Sequence, residues 1–380
     1  MVSSPLFSIL LPTHSRVDVI GHAVQSVLNQ TVMDFELLVV GDGCPSETAA
    51  VLQGFNDPRI RFFDLPKAPY FGYANRNIAL KQSRGKFIAF MADDDLVLPD
   101  HLQVLENALN GGSALAYSQA VWISTDGIAA PFLTNLEFAD ECEVFMLHQN
   151  SIPASCFAYR ADALSRRDAW PEDVSSAADW RLWHKIIQKN PDSPLVYCPV
   201  PTVLHFSARW KQSRNSGMPQ LANFLEIADN SDWWPDTLKP TIPASMSEQS
   251  VFASKLLEEP VVWPAKLRRA TTDTVNRIAW DRIKVLGDDA RKIEKLSEDL
   301  RVLTESNSAL AESNSAMAEL NRVLSEQLAA QRAENATGLV ALAKSRQDAR
   351  DNKEEIDQLR NSTCWRLTKP LRNVVEFLRQ

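Results

Sequence analysis

Four short apolar runs, each followed by a polar turn and separated by stretches of helical spacing, constrain this chain most. Phe7 to Leu11, Phe35 to Val40, Ile60 to Asp64 and Phe87 to Met91 are β-type runs. Between them, Val19 to Leu28 and Tyr73 to Gln82 carry apolar residues at helical intervals. Such alternation predicts an α/β fold of βαβ units around a largely parallel sheet, with ligands beyond the carboxyl ends of its strands. Polar residues gather at those ends: Thr13 and Arg16 after the first run, Asp42 after the second, Asp93 to Asp95 after the fourth. A site at that edge is the expectation.

With 380 residues, the chain has length for about two to three domains. A net charge of −8 argues against nucleic acid as the main partner, because phosphate binding needs a basic surface. No run reaches the ~18 apolar residues of a membrane span. Phe7 to Leu11 has neither the basic flank nor the small-residue cleavage site of a signal peptide. The 5 cysteines are odd in number and widely spaced, which predicts free thiols in a reducing cytoplasm.

Beyond Trp210 the texture changes. Prolines from Pro219 to Pro264 interrupt any long periodicity, and residues 211–285 read as short helices and extended pieces wrapped on the first domain. From Ile293 the period becomes seven. Ile293, Leu300, Asn307, Asn314 and Asn321 form one series, and Leu296, Leu303, Leu310, Met317 and Leu324 the other. These are the a and d positions of a left-handed coiled coil, expected over 286–362. Asn at a positions fixes register and oligomer number and favours a parallel homodimer, with a trimer as the alternative. Residues 363–380 carry Arg366, Lys369, Arg372 and Arg379 against Glu376. They form a basic amphipathic end suited to an anionic membrane surface, or to packing on protein.

Carboxylates two apart in a turn, such as Asp93 and Asp95, can face one divalent cation. The same residues ahead of a helix can serve as its cap. The neighbouring motifs decide between these readings. Ser8-Ile-Leu-Leu-Pro-Thr-His-Ser-Arg16, Ser26-Val-Leu-Asn-Gln-Thr31 and Phe35-Glu-Leu-Leu-Val-Val-Gly-Asp-Gly43 come first. Gly72-Tyr-Ala-Asn-Arg-Asn77, Arg84 to Asp95 and Ala178-Asp179-Trp-Arg-Leu-Trp183 follow in order. Together they resemble the family 2 glycosyltransferases, inverting enzymes of GT-A fold, over residues 5–210.

The resemblance implies a GT-A domain over 1–210 and a nucleotide-sugar pocket of Pro12, Thr13, Arg16, Asp42, Arg76, Asp93 and Asp94. It implies Mn²⁺ or Mg²⁺ on Asp93 and Asp95, and Asp179 as the base that deprotonates the acceptor hydroxyl. His205 stands as a third metal ligand or a structural residue, and Asp179 as the base or a helix cap. The implied partners are a UDP- or dTDP-sugar donor and a glycan or lipid-linked glycan acceptor. The expected setting is surface-polysaccharide synthesis on the inner face of the plasma membrane. Gly41, Ala92 and Ala178 stand where the family commonly has acids. They support the alternative of a catalytically degenerate domain acting as a coiled-coil scaffold.

Overall fold

The computed structural model describes residues 4–132, 134–150, 152–193, 195–207, 219–310, 324–332, 335 and 360–361. The class is α/β. The first half runs β1 (Phe7–Thr13), α1 (Ile20–Leu28), β2 (Phe35–Asp42), α2 (Ser46–Gln53), β3 (Ile60–Leu65), α3 (Tyr73–Lys81) and β4 (Phe87–Phe90). Each strand arises on one of the four apolar runs. In β2 and β4 every residue is buried, and in β1 all but Pro12. Continuous apolar runs of this kind belong to strands covered on both faces.

The chain continues through β5 (Leu96–Val97), α4 (His101–Asn110), β6 (Leu115–Ile123), β7 (Ala129–Phe132), α5 (Ala139–Phe145) and β8 (Met146–Leu147). It then forms β9 (Phe157–Arg160), α6 (Ala178–Lys189) and β10 (Val196–Phe206). The main sheet has the order β3-β2-β1-β4-β9-β6-β10-β5, with β7 beside β6. Strands β1 to β4 pair in parallel, as expected. The second half is mixed: β9 runs antiparallel to both β4 and β6, so β6 and its parallel partner β10 return to the direction of β4. The carboxyl ends of β1, β2, β4, β6 and β10 therefore share one edge. Strand β1 lies between β2 and β4, and the crevice at this reversal of strand order is where such sheets bind ligands.

Aromatic packing closes the core behind that edge. Trp183 of α6 is stacked on Phe157 at 4.5 Å and meets Phe90 edge-on at 4.8 Å. Trp180 is buried with its indole N–H donating to the Phe145 carbonyl at 3.0 Å, and Phe206 packs on Phe252 at 5.8 Å. Trp180, Trp183 and Phe206 are thus core residues. Cys156 is fully buried and burial pushes its thiol well up, the opposite of what a nucleophile requires.

The packing does not stop at residue 210. It includes α7 (Pro219–Asn230), α8 (Glu248–Glu258) and the start of α9 (Val262–Leu310). Arg268 grips Asp100 through two guanidinium nitrogens at 2.9 and 2.7 Å and donates Nε to the Pro201 carbonyl at 2.8 Å. His22 of α1 meets Ser250 of α8 at 2.9 Å. One compact unit comprises Met1–Asn276 with Ile356–Gln380, and the other Arg277–Glu355. A two-residue strand β11 (Arg360–Asn361) pairs with β8 in the first.

In the second unit, Ile293, Leu296 and Leu303 of α9 are 68%, 60% and 49% exposed. The heptad positions at 314, 317 and 321 and the basic end at 363–380 lie outside the described residues. Among the described residues, no helix is long and apolar enough to cross a membrane.

Candidate nucleotide-sugar site

Six residues expected on the nucleotide side, Pro12, Thr13, Arg16, Asp42, Arg76 and Asp93, line one cavity of about 530 Å³. Residues from four loops meet there because β1, β2, β3 and β4 end at one edge. At the strand reversal, Thr13 Oγ1 donates to Asp93 Oδ2 at 2.8 Å, joining the ends of β1 and β4. Arg16 donates to Asp93 Oδ1 at 3.1 Å and forms a close ion pair with Asp94. Asp94 does not line the cavity; it holds Arg16 from behind.

Asp93 and Asp94 thus share Arg16 as their cation. Burial, then the neighbouring Asp95, pushes the Asp94 carboxyl up to about 7 despite Arg16. Burial likewise raises Asp93. Asp95 turns away from Asp93. Its Oδ1 accepts from His205 Nδ1 at 2.8 Å, and its Oδ2 from the Ser155 hydroxyl at 2.5 Å. His205, at the end of β10, sits edge-on to Trp122 at 4.5 Å. Among the described residues, no group of three or more His, Cys, Asp or Glu converges as a ready metal cage. The donor set itself fits a divalent cation. It pairs hard carboxylate oxygens with one imidazole.

Asp42 ends β2 beneath the loop that follows β3. Its Oδ2 accepts from Lys67 Nζ at 2.5 Å, and its Oδ1 from the Ala68 amide and from Asn75 Nδ2, both at 2.8 Å. Gly72 adopts φ +70, and a Cβ there would stand 2.4 Å from the Asp42 Cγ. Only glycine fits that position.

Arg76 follows on α3, its guanidinium 4.6 Å over the Trp170 ring and 5.0 Å over Tyr73. Burial pulls its pKa down, and Asp179, Asp42 and Asp93 act against that pull. One half-buried cation therefore lies within electrostatic reach of both the cavity and Asp179. The N-cap of α6 is Ala177, in the left-handed region at φ +53, so Asp179 is within the first turn and is not the cap residue. Asn150 Nδ2 donates to Asp179 Oδ2 at 2.9 Å. Burial raises the Asp179 carboxyl, opposed by the Trp180 amide, Arg76 and Asn150.

Sequence patterns had not pointed to Lys67, Tyr70, Phe71, Asn150 or Ser155. They are loop residues without periodicity, brought to the site by the return of β9 and by the anchoring of the loop after β3.

The model of glycosyl transferase family 2 matches residues 8–166. That stretch is a family 2 glycosyltransferase domain. It contains the cavity and the acidic triplet, whereas Asp179 and His205 lie beyond it. The chain is similar to a UDP-Glc:alpha-D-GlcNAc-diphosphoundecaprenol beta-1,3-glucosyltransferase of Escherichia coli, with 31% identity over 34% of this chain and 51% of that protein. It is also similar to a GalNAc(5)-diNAcBac-PP-undecaprenol beta-1,3-glucosyltransferase of Campylobacter jejuni, with 30% identity over 31% of this chain and 38% of that protein. The chain thus spans about half or less of the length of those two relatives. Among solved structures, S. aureus TarS 1-349 in complex with UDP-GlcNAc is similar with a TM-score of 0.43 and 18% identity, over 70% of this chain and 91% of that one.

Proposed function

We propose that the protein is an inverting glycosyltransferase. It moves a sugar from a UDP- or dTDP-sugar to a hydroxyl of a glycan or lipid-linked glycan in surface-polysaccharide synthesis. The observation that carries this is the meeting of Thr13, Arg16, Asp42 and Asp93 around one cavity, with Arg76 between that cavity and Asp179.

The acceptor oxygen attacks the anomeric carbon as its proton passes to Asp179, and the bond from that carbon to the diphosphate oxygen breaks. A single in-line displacement inverts the centre and needs one base. Arg16 and Arg76 supply positive charge to the donor. Asp93, Asp95 and His205 are the residues that would hold Mn²⁺ or Mg²⁺. When bound, the metal supplies further positive charge to the leaving diphosphate.

The test is release of UDP from UDP-glucose in the presence of GlcNAc-diphosphoundecaprenol, the acceptor named for the Escherichia coli relative, together with other sugar nucleotides and acceptors. Turnover by the wild type that requires an acceptor supports transfer. A protein that turns over no donor while capturing other glycan-assembly enzymes is a scaffold.

The pH dependence follows from the surroundings of Asp179. It works as a carboxylate, so kcat/KM rises as pH rises through its raised pKa. Arg76 and Tyr73 face it from α3. Asn150→Ala removes a hydrogen bond that lowers that pKa, so the ascending limb is expected to move to higher pH. An unmoved limb in a pH–rate profile would count against Asp179 as the base.

The exposed Ile293, Leu296 and Leu303 support pairing of two copies through α9, because a solvated a/d seam is stable only against a partner. Truncation after residue 285 is expected to give a folded monomer where the full chain is a dimer. Light scattering that still shows a dimer would refute the seam as the pairing element.

A further inference from the structure

Ser155 is fully buried, on a single 3₁₀ turn, Ala154–Cys156, that leads into β9. A hydroxyl taken out of water costs stability unless it is hydrogen-bonded. Ser26, Ser83 and Ser113, also buried, meet that need within their own turns by donating to the Ala23, Leu80 and Leu115 carbonyls. Ser155 does not. Its Oγ donates to Asp95 Oδ2 at 2.5 Å, 60 positions away in sequence, and accepts the Ala92 amide at 3.0 Å.

Ala92 and Asp95 are the two ends of one β-turn, closed by the Asp95 amide donating to the Ala92 carbonyl at 3.3 Å. Asp93 and Asp94 form its corner. A single hydroxyl therefore clasps both ends of the turn that carries the acidic triplet. That clasp is itself held in place. Pro153 precedes it, the Cys156 amide returns to the Pro153 carbonyl at 2.9 Å, and the 3₁₀ turn packs against β4, β6 and β10.

The Asp95 carboxylate is fully buried as well. His205 Nδ1 lies on its Oδ1 at 2.8 Å and Ser155 on its Oδ2. Rotation about the last bond of a carboxylate side chain is soft and exchanges the two oxygens. A fixed donor on Oδ2 removes that freedom, so Oδ1 stays on the His205 side. Without the hydroxyl, Oδ2 would lose its donor inside the protein, where an unmet charged acceptor is costly.

We propose that Ser155 is a positioning residue for the metal centre, fixing the Ala92–Asp95 turn and aiming Asp95 beside His205. The inference rests on the assignment of Asp93, Asp95 and His205 as the residues that would hold the cation, and it adds the group that orders them.

Titration of the full chain with Mn²⁺, read by loss of the free-ion paramagnetic resonance signal, tests the proposal. Calorimetry with UDP in the absence of metal gives the second readout. Hydrogen-bond partners that orient a metal-holding group are typically worth about 10- to 100-fold in metal affinity. Ser155→Ala is expected to bind Mn²⁺ weaker by that factor and metal-free UDP as the wild type does. Ser155→Cys keeps the shape but supplies only a weak donor, so its Mn²⁺ affinity should fall between the two. It carries the test if the alanine variant does not fold. Ser113→Ala removes a hydroxyl that is also fully buried but bonds the Leu115 carbonyl, and should lower melting temperature without changing Mn²⁺ affinity. Wild-type Mn²⁺ affinity in Ser155→Ala, or in Ser155→Cys where that variant stands in, overturns the positioning role and leaves the metal site standing. Equal losses of Mn²⁺ and metal-free UDP binding overturn it too, since the hydroxyl would then support the whole crevice. A matching Mn²⁺ loss in Ser113→Ala overturns it as an effect of lowered stability. A folded wild type that binds UDP but no Mn²⁺ refutes the metal site and the positioning role together.

Discussion

Asp179→Asn is expected to lower transfer by about 10²- to 10⁴-fold, the usual worth of a positioned general base, with nucleotide affinity unchanged. Asparagine keeps the shape of the side chain and can still accept from Asn150 Nδ2, so the first turn of α6 has no reason to move. What is lost is the site for a proton. Stability should change in a telling direction. An acid whose pKa is raised by burial binds its proton more tightly folded than unfolded, so it costs stability as pH rises from its ordinary value through the raised one. The neutral amide escapes that cost. Melting temperature of the variant relative to wild type should therefore improve from pH 4 to pH 8 while turnover collapses. Undiminished transfer would show that another group takes the acceptor proton.

Gly72→Ala is the second large effect. The new Cβ would fall 2.4 Å from the Asp42 Cγ and 2.6 Å from a carboxylate oxygen, at φ +70. Left-handed backbone at a non-glycine residue and overpacking each cost about 1–3 kcal/mol, so a combined loss of about 2–6 kcal/mol is expected. For a unit of this size that is roughly 4–24 °C in melting temperature. Gly112→Ala is the control, because Gly112 is also left-handed, at φ +97, but faces open space. It should cost about 1 kcal/mol of backbone strain and leave UDP affinity intact, whereas Gly72→Ala should weaken UDP binding through Asp42. Equal effects from both variants would mean that contact with Asp42 is not what constrains Gly72.

The parts of the molecule that were legible in sequence share a physical reason. Strands β1, β2 and β4 are buried on both faces, so each appears as an uninterrupted apolar run. A residue at the end of such a strand, such as Thr13, Asp42 or Asp93, can be placed at the sheet edge from local pattern alone. Strand β9 has four residues, and its direction depends on how the chain returns after α5. No local period encodes that, and the sheet is accordingly mixed where a largely parallel one was expected.

The same limit applies within the site. Asp95 and His205 are 110 positions apart and meet because β5, which Asp95 immediately precedes, pairs antiparallel with β10 just before His205. Asn150 and Ser155 are small polar residues in connecting segments, distinguishable from solvent-facing loop only by the carboxylates they contact. The Tyr70-Phe71 pair could have been noticed, since two large rings just ahead of a glycine that opens a helix are poor candidates for core. Trp180 and Trp183 show the converse, with the indoles nearest Asp179 spent on packing.

The central claim is that the crevice at the ends of β1, β2 and β4 holds a nucleoside diphosphate. The most direct measurement is the melting temperature of the full chain with UDP, dTDP, GDP and CMP, each with and without Mn²⁺. A ligand at ~100 times its dissociation constant adds roughly 2.7 kcal/mol, a shift of about 5–11 °C in a unit of this size. The predicted result is a shift with UDP or dTDP that depends on Mn²⁺. No shift with any nucleotide, with or without metal, would contradict the donor site and leave α9 as the part of the chain that acts.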